Sequence, residues 1–126
     1  EGFSNYTMQD ECTVNQTVTY LGKKWMLLII LELYKGDNYN RRFTEIKERL
    51  PGITAKVLSA RLKELEEEGL VERRVEARSF PVKTEYTLTA SGLELVGVIR
   101  EIKRWALRWK IENRACGAQD CRDCVL

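Results

Sequence analysis

Apolar residues recur at helical spacing over the first third of the chain. Val14, Val18 and Leu21 lie three or four positions apart and are followed by a glycine, which predicts a first helix over residues 12–22. Residues 24–35 are apolar nearly all round and are followed by a Gly-Asp-Asn sequence that ends a helix. The second helix is therefore expected to lie in the core.

Two shorter apolar patterns follow and are joined by Pro51-Gly52. Residues 44–50 place their apolar side chains on one face with Thr44 as the expected N-cap, and residues 54–68 do the same with Thr54 as N-cap. Two short helices joined by a tight turn are typical of a helix-turn-helix. In such motifs the second helix enters the major groove of DNA.

Alternating and then helical patterns complete the domain. Residues 70–77 and 82–88 alternate between apolar and polar positions around a Ser-Phe-Pro interruption, which predicts a β-hairpin with a basic tip. Thr89 is the expected N-cap of a long last helix that extends to about Asn113. The fold class is therefore mainly α with a small β-hairpin wing, a winged helix-turn-helix.

One folded domain is expected to occupy most of the chain. With 126 residues, 44% of them hydrophobic, the chain can bury one core of ordinary size. We expect an N-terminal extension over residues 1–11, a winged-helix DNA-binding and dimerisation domain over residues 12–112, and a cysteine-containing tail over residues 113–126. The longest apolar run, residues 25–31, is far shorter than the roughly 20 residues that span a bilayer. A soluble, cytoplasmic protein without a membrane partner is expected.

The predicted last helix carries an apolar stripe that is longer than a compact core requires. Its apolar residues are spaced alternately by four and three, and two tryptophans lie near its end. Such stripes usually mark association surfaces, although packing on the chain's own domain is the alternative. We expect a homodimer whose interface includes Val14, Val18, Ile99, Ile102, Trp105 and Trp109.

The charge distribution and the lack of histidine favour a binding protein over an enzyme. The formal net charge is only +2, but acidic residues crowd into positions 64–68 and basic residues into positions 73–83 and 100–114. The sequence has no histidine, which removes the commonest general base and the usual nitrogen ligand of zinc. We therefore expect no enzymatic activity and a nucleic-acid partner.

Basic and small polar residues occupy the solvent side of the predicted recognition helix. Thr54 and Ala55 suit a phosphate contact at the helix N-terminus, while Lys56 and Ser59 can reach base edges. Glutamates after Lys63 limit the DNA-reading surface to the first two turns, because they repel phosphate. The expected DNA contacts on all elements are Arg41, Arg42, Thr44, Thr54, Ala55, Lys56, Ser59, Lys63, Arg78 and Lys83, while Arg61 is expected either to contact DNA or to form a salt bridge between packed helices.

Several segments, taken together and in order, resemble the HxlR-type (MarR-like) regulators. The resemblance runs from about Cys12 to Trp109 and departs from the usual Gly-Gly-Lys-Trp sequence at Lys23. No counterpart of the tail after Trp109 is evident. The segments that carry the resemblance are Leu21 to Leu28, Arg42 to Ile46, Pro51 to Thr54, Leu58 to Leu65, Glu68 to Val71, Tyr86 to Thr89, and Gly92.

The resemblance implies a winged helix that dimerises through its first and last helices. It also implies control of transcription from operators with two-fold symmetry. Cys12 stands at the position of the cysteine that opens the first helix of the family, which implies sensing of oxidants or electrophiles. The sequence identifies neither the effector nor the direction of regulation.

Four cysteines leave three readings open. Cys116, Cys121 and Cys124 form a C-x4-C-x2-C pattern, which matches three ligands of plant-type iron–sulfur proteins, and Cys12 is a candidate fourth ligand. Zinc could use the same four sulfurs. The alternatives are redox switching by disulfides and incidental thiols in a mobile tail.

Three functional hypotheses follow from these features. The first is a sequence-specific double-stranded DNA-binding transcriptional regulator that responds to redox state or metal through its cysteines. The second is a thiol or iron–sulfur redox protein on a winged-helix scaffold. The third is a winged helix used only for protein contacts, which would show no salt-dependent affinity for duplex DNA.

Overall fold

The domain begins with two helices, of which the second is its central apolar element. The computed structural model describes residues 12–124 and gives helix α1 at Thr13–Leu21 and helix α2 at Met26–Lys35. Four apolar side chains of α2 have no solvent exposure: Met26, Ile29, Ile30 and Leu33. The prediction of a buried second helix is confirmed, with a start two residues later than expected. The predicted N-terminal extension, residues 1–11, lies outside the described residues.

The helix-turn-helix consists of α3 at Phe43–Arg49 and α4 at Ala55–Glu67. The predicted N-cap Thr44 is wrong, because α3 begins at Phe43 and the backbone N–H of Arg42 donates to the Glu45 carboxylate at 2.8 Å. Thr54 is confirmed as the N-cap of α4, since its hydroxyl accepts from the Val57 N–H at 3.1 Å. The turn between the helices uses Gly52 at φ +97°, a conformation that favours glycine.

Three antiparallel strands form the sheet, one more than the sequence predicts. The strands are β1 at Asn40–Arg42, β2 at Val71–Glu76 and β3 at Lys83–Leu88, in the spatial order β1-β3-β2. The β2–β3 hairpin is the predicted wing, with Val71 opposite Leu88. Strand β1 places Arg41 opposite Tyr86, so the basic pair before α3 lies on a sheet edge rather than in a turn.

The last long helix, α5, spans Ala90–Trp109 and is shorter than predicted. Its start is confirmed, because the Gly92 N–H donates to the Thr89 hydroxyl at 3.2 Å. Its end lies four residues before the predicted Asn113. The Ile111 N–H donates to the Ala106 carbonyl five residues back at 2.7 Å, which closes the helical ladder.

The tail contains two further short elements. Helix α6 spans Arg114–Gly117, and a 3₁₀ turn spans Cys121–Asp123, which we call the tail turn. Residues 125–126 of the predicted tail lie outside the described residues.

The hydrophobic core surrounds α2 and includes one residue that the sequence assigns to the dimer interface. Among the residues of α5 proposed for dimerisation, Ile99 is only 6% exposed and packs in the core of its own subunit. Its assignment to the subunit interface is therefore wrong, since a side chain buried within one subunit is not available to a second. Within residues 12–124 no helix is both long and apolar enough to cross a membrane.

The two glycines of α5 should respond oppositely to substitution by alanine. A Cβ at Gly92 would lie 2.3 Å from the Leu70 carbonyl oxygen, so Gly92→Ala should destabilise the fold by about 1–3 kcal/mol. A Cβ at Gly97 would meet nothing within 4 Å, so Gly97→Ala should stabilise it by about 0.5–1 kcal/mol through helix propensity. Urea unfolding of both variants measures the difference, and equal midpoints would contradict the close approach at Gly92.

Candidate nucleic-acid interface and the cysteine tail

Helix α4 separates a buried side from a solvent-facing side as the sequence predicts. Leu58, Leu62 and Leu65 are at most 1% exposed and anchor the helix to the core. The five residues expected to contact DNA from this helix and its cap are all exposed: Thr54, Ala55, Lys56, Ser59 and Lys63. The structure therefore brings these side chains together on one accessible surface.

Arg61 ties α4 to the segment before α2. Its Nε donates to the Lys24 carbonyl oxygen at 3.2 Å, and its Nη1 pairs with the Glu64 carboxylate at 2.6 Å. These contacts correspond to the structural role that the sequence left open for Arg61.

Glu64, in the acidic half of α4, has its negative charge balanced by neighbouring cations. Its carboxylate pairs with Lys23 as well as with Arg61. The hydrogen bond from Lys23 is the main cause that holds the pKa of Glu64 below its usual value. The exposed acidic residues beyond it, 66–68, are the ones left to face solvent, and they begin one turn after Lys63.

A buried carboxylate organises basic residues beside strand β1. Glu32 is only 5% exposed and accepts from Arg49 Nε at 2.5 Å and from Lys35 Nζ at 3.4 Å. Its backbone oxygen accepts from Arg41 Nε at 2.7 Å. Arg41 is therefore fixed against the end of α2, while Arg42 and the predicted DNA contact Thr44 are exposed.

The sequence reasoning missed the roles of Glu32 and Arg49. The available signal was the lone carboxylate within an otherwise apolar helix, because a buried charge needs cationic partners.

The wing carries its basic residues in two environments. Arg78 is exposed in the connection between β2 and β3, whereas Lys83 is half-buried at the start of β3 opposite Glu76. Of the two DNA contacts predicted for the wing, only Arg78 is exposed. Arg73 and Arg74 on β2 are also exposed and extend the basic surface.

Exposed apolar side chains also occur on α1 and α5. They are the side chains that the sequence proposes for dimerisation, without Ile99: Val14, Val18, Ile102, Trp105 and Trp109. Large apolar side chains that remain exposed on a folded domain are typical of association surfaces.

The four cysteines are free and occupy two regions of the described chain. Cys12 is exposed immediately before α1, whereas the three tail cysteines are half-buried. Cys116 and Cys121 both line a mainly apolar cavity of about 290 Å³ between α5 and the tail. Within residues 12–124 no three His, Cys, Asp or Glu side chains are placed to hold a metal ion. A cluster or zinc site on Cys12, Cys116, Cys121 and Cys124 does not fit the arrangement of one chain and stays a prediction for a shared site.

The tail is docked on the domain through the residues around Cys121. Arg122 donates to the Tyr34 carbonyl oxygen and, at 3.3 Å, to that of Gly36. Its guanidinium carbon lies 4.9 Å from the ring centre of Tyr39, within range of a cation–π interaction. Asp120 pairs with Arg100 at 3.1 Å. The hypothesis of a mobile tail is therefore not supported for residues 113–124.

Hydrogen bonding keeps the Asp120 carboxylate in its charged form. The Arg122 backbone N–H donates to it at 2.9 Å and is the main cause of a lowered pKa, with Tyr34 and Arg100 adding to the effect. The pKa of Tyr34 is raised, first because burial disfavours the phenolate and then because Asp120 is close. Both groups are therefore in their ordinary charge states at neutral pH.

The fold and the exposed face of α4 define the class of winged-helix transcriptional regulators. A family model for HxlR-like helix-turn-helix proteins matches residues 20–114, and the chain belongs to this family. Regulators of this family bind DNA and are typically dimers.

Related proteins agree with this assignment. The HTH-type transcriptional regulator YvaP of Bacillus subtilis is 44% identical over 94 residues, which are 75% of this chain and 83% of YvaP. The reduced form of the transcriptional regulator YodB from B. subtilis has a TM-score of 0.69 and 41% identity, covering 81% of this chain and 97% of YodB. The redox regulator HypR in its oxidised form has a TM-score of 0.68 and 32% identity, covering 79% of this chain and 99% of HypR.

Acid should loosen the docked tail through Asp120. Because its folded pKa is lowered, the stabilisation is present above the ordinary carboxyl pKa of about 4 and is lost as the pH falls through the folded value. Asp120→Asn should therefore raise the rate at which 4,4′-dithiodipyridine modifies Cys121 several-fold at pH 7, and the rates of the variant and the parent protein should converge as the pH falls below the folded pKa of Asp120.

The rates are measured with Cys12, Cys116 and Cys124 replaced by serine, so that only Cys121 reacts. Glu101→Gln, whose carboxylate pairs with Arg104 on the same helix, is the matched control and should leave the rate unchanged. If the ratio of the Cys121 modification rates with and without Asp120→Asn does not depend on pH, the role of Asp120 is contradicted.

Proposed function

We propose that this protein is a homodimeric, sequence-specific regulator that binds double-stranded DNA operators with two-fold symmetry and responds to redox state through its cysteines. The observation that carries the proposal is the exposed face of α4, where small and cationic side chains cover the first two turns. Such a face fits the major groove of B-DNA.

The first two turns of α4 supply the proposed base readout. Lys56 and Ser59 are exposed and can donate hydrogen bonds to base edges, while Thr54 and Ala55 present backbone N–H groups to phosphate. Lys63 lies one turn further and is assigned to the phosphate backbone. The acidic end of α4 keeps the rest of the helix away from the DNA.

Residues outside α4 supply proposed backbone contacts. Arg78 projects from the wing towards the minor groove or its phosphates, and Arg42 and Thr44 lie where the first helix of the motif crosses the backbone. Lys83 is a weaker match to this role than Arg78, because it is half-buried. Arg41 contributes charge from a fixed position on β1.

A homodimer would place two copies of α4 on one side of the duplex. The exposed apolar residues of α1 and α5 support association through these helices. Two recognition helices about 34 Å apart then match adjacent major grooves, which requires an operator with two-fold symmetry.

Redox responsiveness is proposed for the cysteines. The exposure of Cys12 supports its reactivity with oxidants or electrophiles. The structural neighbours include YodB, solved in a reduced form, and HypR, described as a redox regulator.

Removing the proposed base contacts should relax sequence preference. The double variant Lys56→Ala/Ser59→Ala should lose about 1–3 kcal/mol of discrimination between the selected operator and mismatched duplexes. Binding to duplexes selected from a random library measures the preference. Arg104→Ala on α5, where the side chain is exposed and pairs locally with Glu101, is the control and should keep this preference. Unchanged selectivity in the double variant would refute this choice of recognition face.

Removing the wing arginine should weaken binding to every sequence alike. Arg78→Ala removes a phosphate contact, so the slope of log affinity against log salt should fall by about 1 while sequence preference is kept. Titrations of operator and unrelated duplex at several salt concentrations measure this slope. A loss confined to the operator would assign Arg78 to base readout instead.

A further inference from the structure

A C-x-x-C sequence spans the tail turn, with Cys124 immediately after it. Cys121 begins the turn, and the Cys124 backbone N–H donates to the Cys121 carbonyl at 3.3 Å. This hydrogen bond links residues three apart, as in a 3₁₀ helix. Both thiols are free and half-buried in the described structure.

The geometry of a 3₁₀ turn suits a disulfide between its ends. A rise of roughly 2.0 Å per residue separates the Cα atoms of residues three apart by about 6 Å, and their side chains eclipse. Disulfides join Cα atoms that are about 4.4–6.8 Å apart. The Cα separation expected for such a turn therefore lies within the range that a disulfide spans.

Neither of the other cysteines has this arrangement. Cys116 lines the same cavity as Cys121 but belongs to α6, with three residues of connecting chain between α6 and the tail turn. Cys12 is exposed at the opposite end of the described chain, before α1. Only Cys124 is held beside Cys121 by a hydrogen bond of the turn itself.

We propose that Cys121 and Cys124 form a dithiol–disulfide couple within one subunit, which exchanges with low-molecular-weight disulfides and controls the docking of the tail. This inference rests on the proposed function only for its effect on DNA binding. It assigns the redox response to a pair of residues and to a contact with the DNA-binding domain.

The exchange proceeds in two steps. The thiolate of one cysteine attacks a disulfide RSSR, forming a mixed disulfide and releasing RS⁻. The thiolate of the second cysteine then attacks the protein sulfur of the mixed disulfide and releases the second RS⁻. The cysteines lose two electrons and two protons, and RSSR is reduced to two RSH.

Arg122 connects this couple to the DNA-binding domain. It lies between the two cysteines in the turn, and its guanidinium holds the carbonyl oxygens of Tyr34 and Gly36 at the end of α2. Gly36 packs so tightly on β1 that an added Cβ would lie 2.3 Å from the Asn40 carbonyl oxygen. Movement of Arg122 would therefore shift Gly36 and, through it, the start of β1, the strand that carries Arg41 and Arg42.

Oxidation should loosen this contact. The Cys121 side chain packs against the hydrophobic core in the reduced protein. A sulfur bonded to Cys124 at the far end of the turn cannot keep the same contact with the core. The tail then loses the packing contact of Cys121, and the hydrogen bonds from the neighbouring Arg122 weaken. Residues 37–42 become less rigid, so oxidation lowers the affinity for the operator.

The first experiment tests the chemistry in the variant Cys12→Ser/Cys116→Ser, which retains only the proposed couple. With oxidised glutathione, intact mass spectrometry should show the loss of two hydrogen atoms and no added glutathione. Replacing Cys124 by serine as well should trap one glutathione on Cys121. Stable glutathione adducts on both cysteines of the couple would overturn the proposal. Disulfide mapping of the oxidised wild-type protein gives the same test if the variant does not fold.

The second experiment tests the coupling. Oxidation of the same variant should speed amide hydrogen exchange in residues 37–42 and weaken operator binding by about fivefold or more. Both controls are made in the same Cys12→Ser/Cys116→Ser background. Arg122→Ala should still form the disulfide but lose the dependence of affinity on oxidation, and Cys121→Ser/Cys124→Ser should not respond to oxidation. An oxidised couple with unchanged exchange in residues 37–42 would overturn the coupling.

The two experiments separate this inference from the proposed function. If the reduced protein binds no duplex, the proposed function fails, while disulfide formation and amide exchange still decide the inference. If the reduced protein binds its operator but the couple does not form, the inference fails alone.

Discussion

The burial of α2, in which only Leu28 is exposed, is the constraint on which the rest of the structure depends. A helix that is apolar nearly all round is stable in water only when other elements surround it. Here α1, α3, α4, α5, the sheet and the tail turn all contact α2. The recognition helix is consequently placed by its leucines against this central element, and its polar face is directed to solvent. The DNA-reading surface is thus a consequence of core packing.

The same constraint explains why much of the fold could be predicted from the sequence. The periodicity of Leu58, Leu62 and Leu65 sets which side of α4 is buried, and Thr54 marks its start, so both the helix and its exposed face follow from local pattern. Local pattern failed at β1, because three polar residues carry no alternation, and their strand exists only through pairing with β3. It failed at Thr44 for a related reason: the extended Arg42 ends that strand and starts the helix.

Long-range contacts account for the parts of the site that the sequence did not predict. Ile99 belongs to a regular series of apolar residues along α5. The series passes from the core to the surface, and its spacing alone does not show at which residue burial ends. The docking of the tail depends on Arg122 meeting backbone oxygens more than eighty residues earlier in the chain. No local signal encodes a contact of this kind.

The end of α2 joins the two functions proposed for this chain. Glu32 near this end is costly to bury, and that cost is offset only because Arg49 and Lys35 pair with its carboxylate while Arg41 binds its backbone oxygen. Two and four residues later in the chain, the carbonyl oxygens of Tyr34 and Gly36 accept hydrogen bonds from Arg122 of the tail. Cations from the DNA-binding surface and from the cysteine tail thus bind neighbouring turns of one rigid helix. A rigid element shared by two sites allows a local change at one to bias the other, provided that one of the contacts has two states. The tail turn, with its adjacent thiols, is the contact that chemistry can switch.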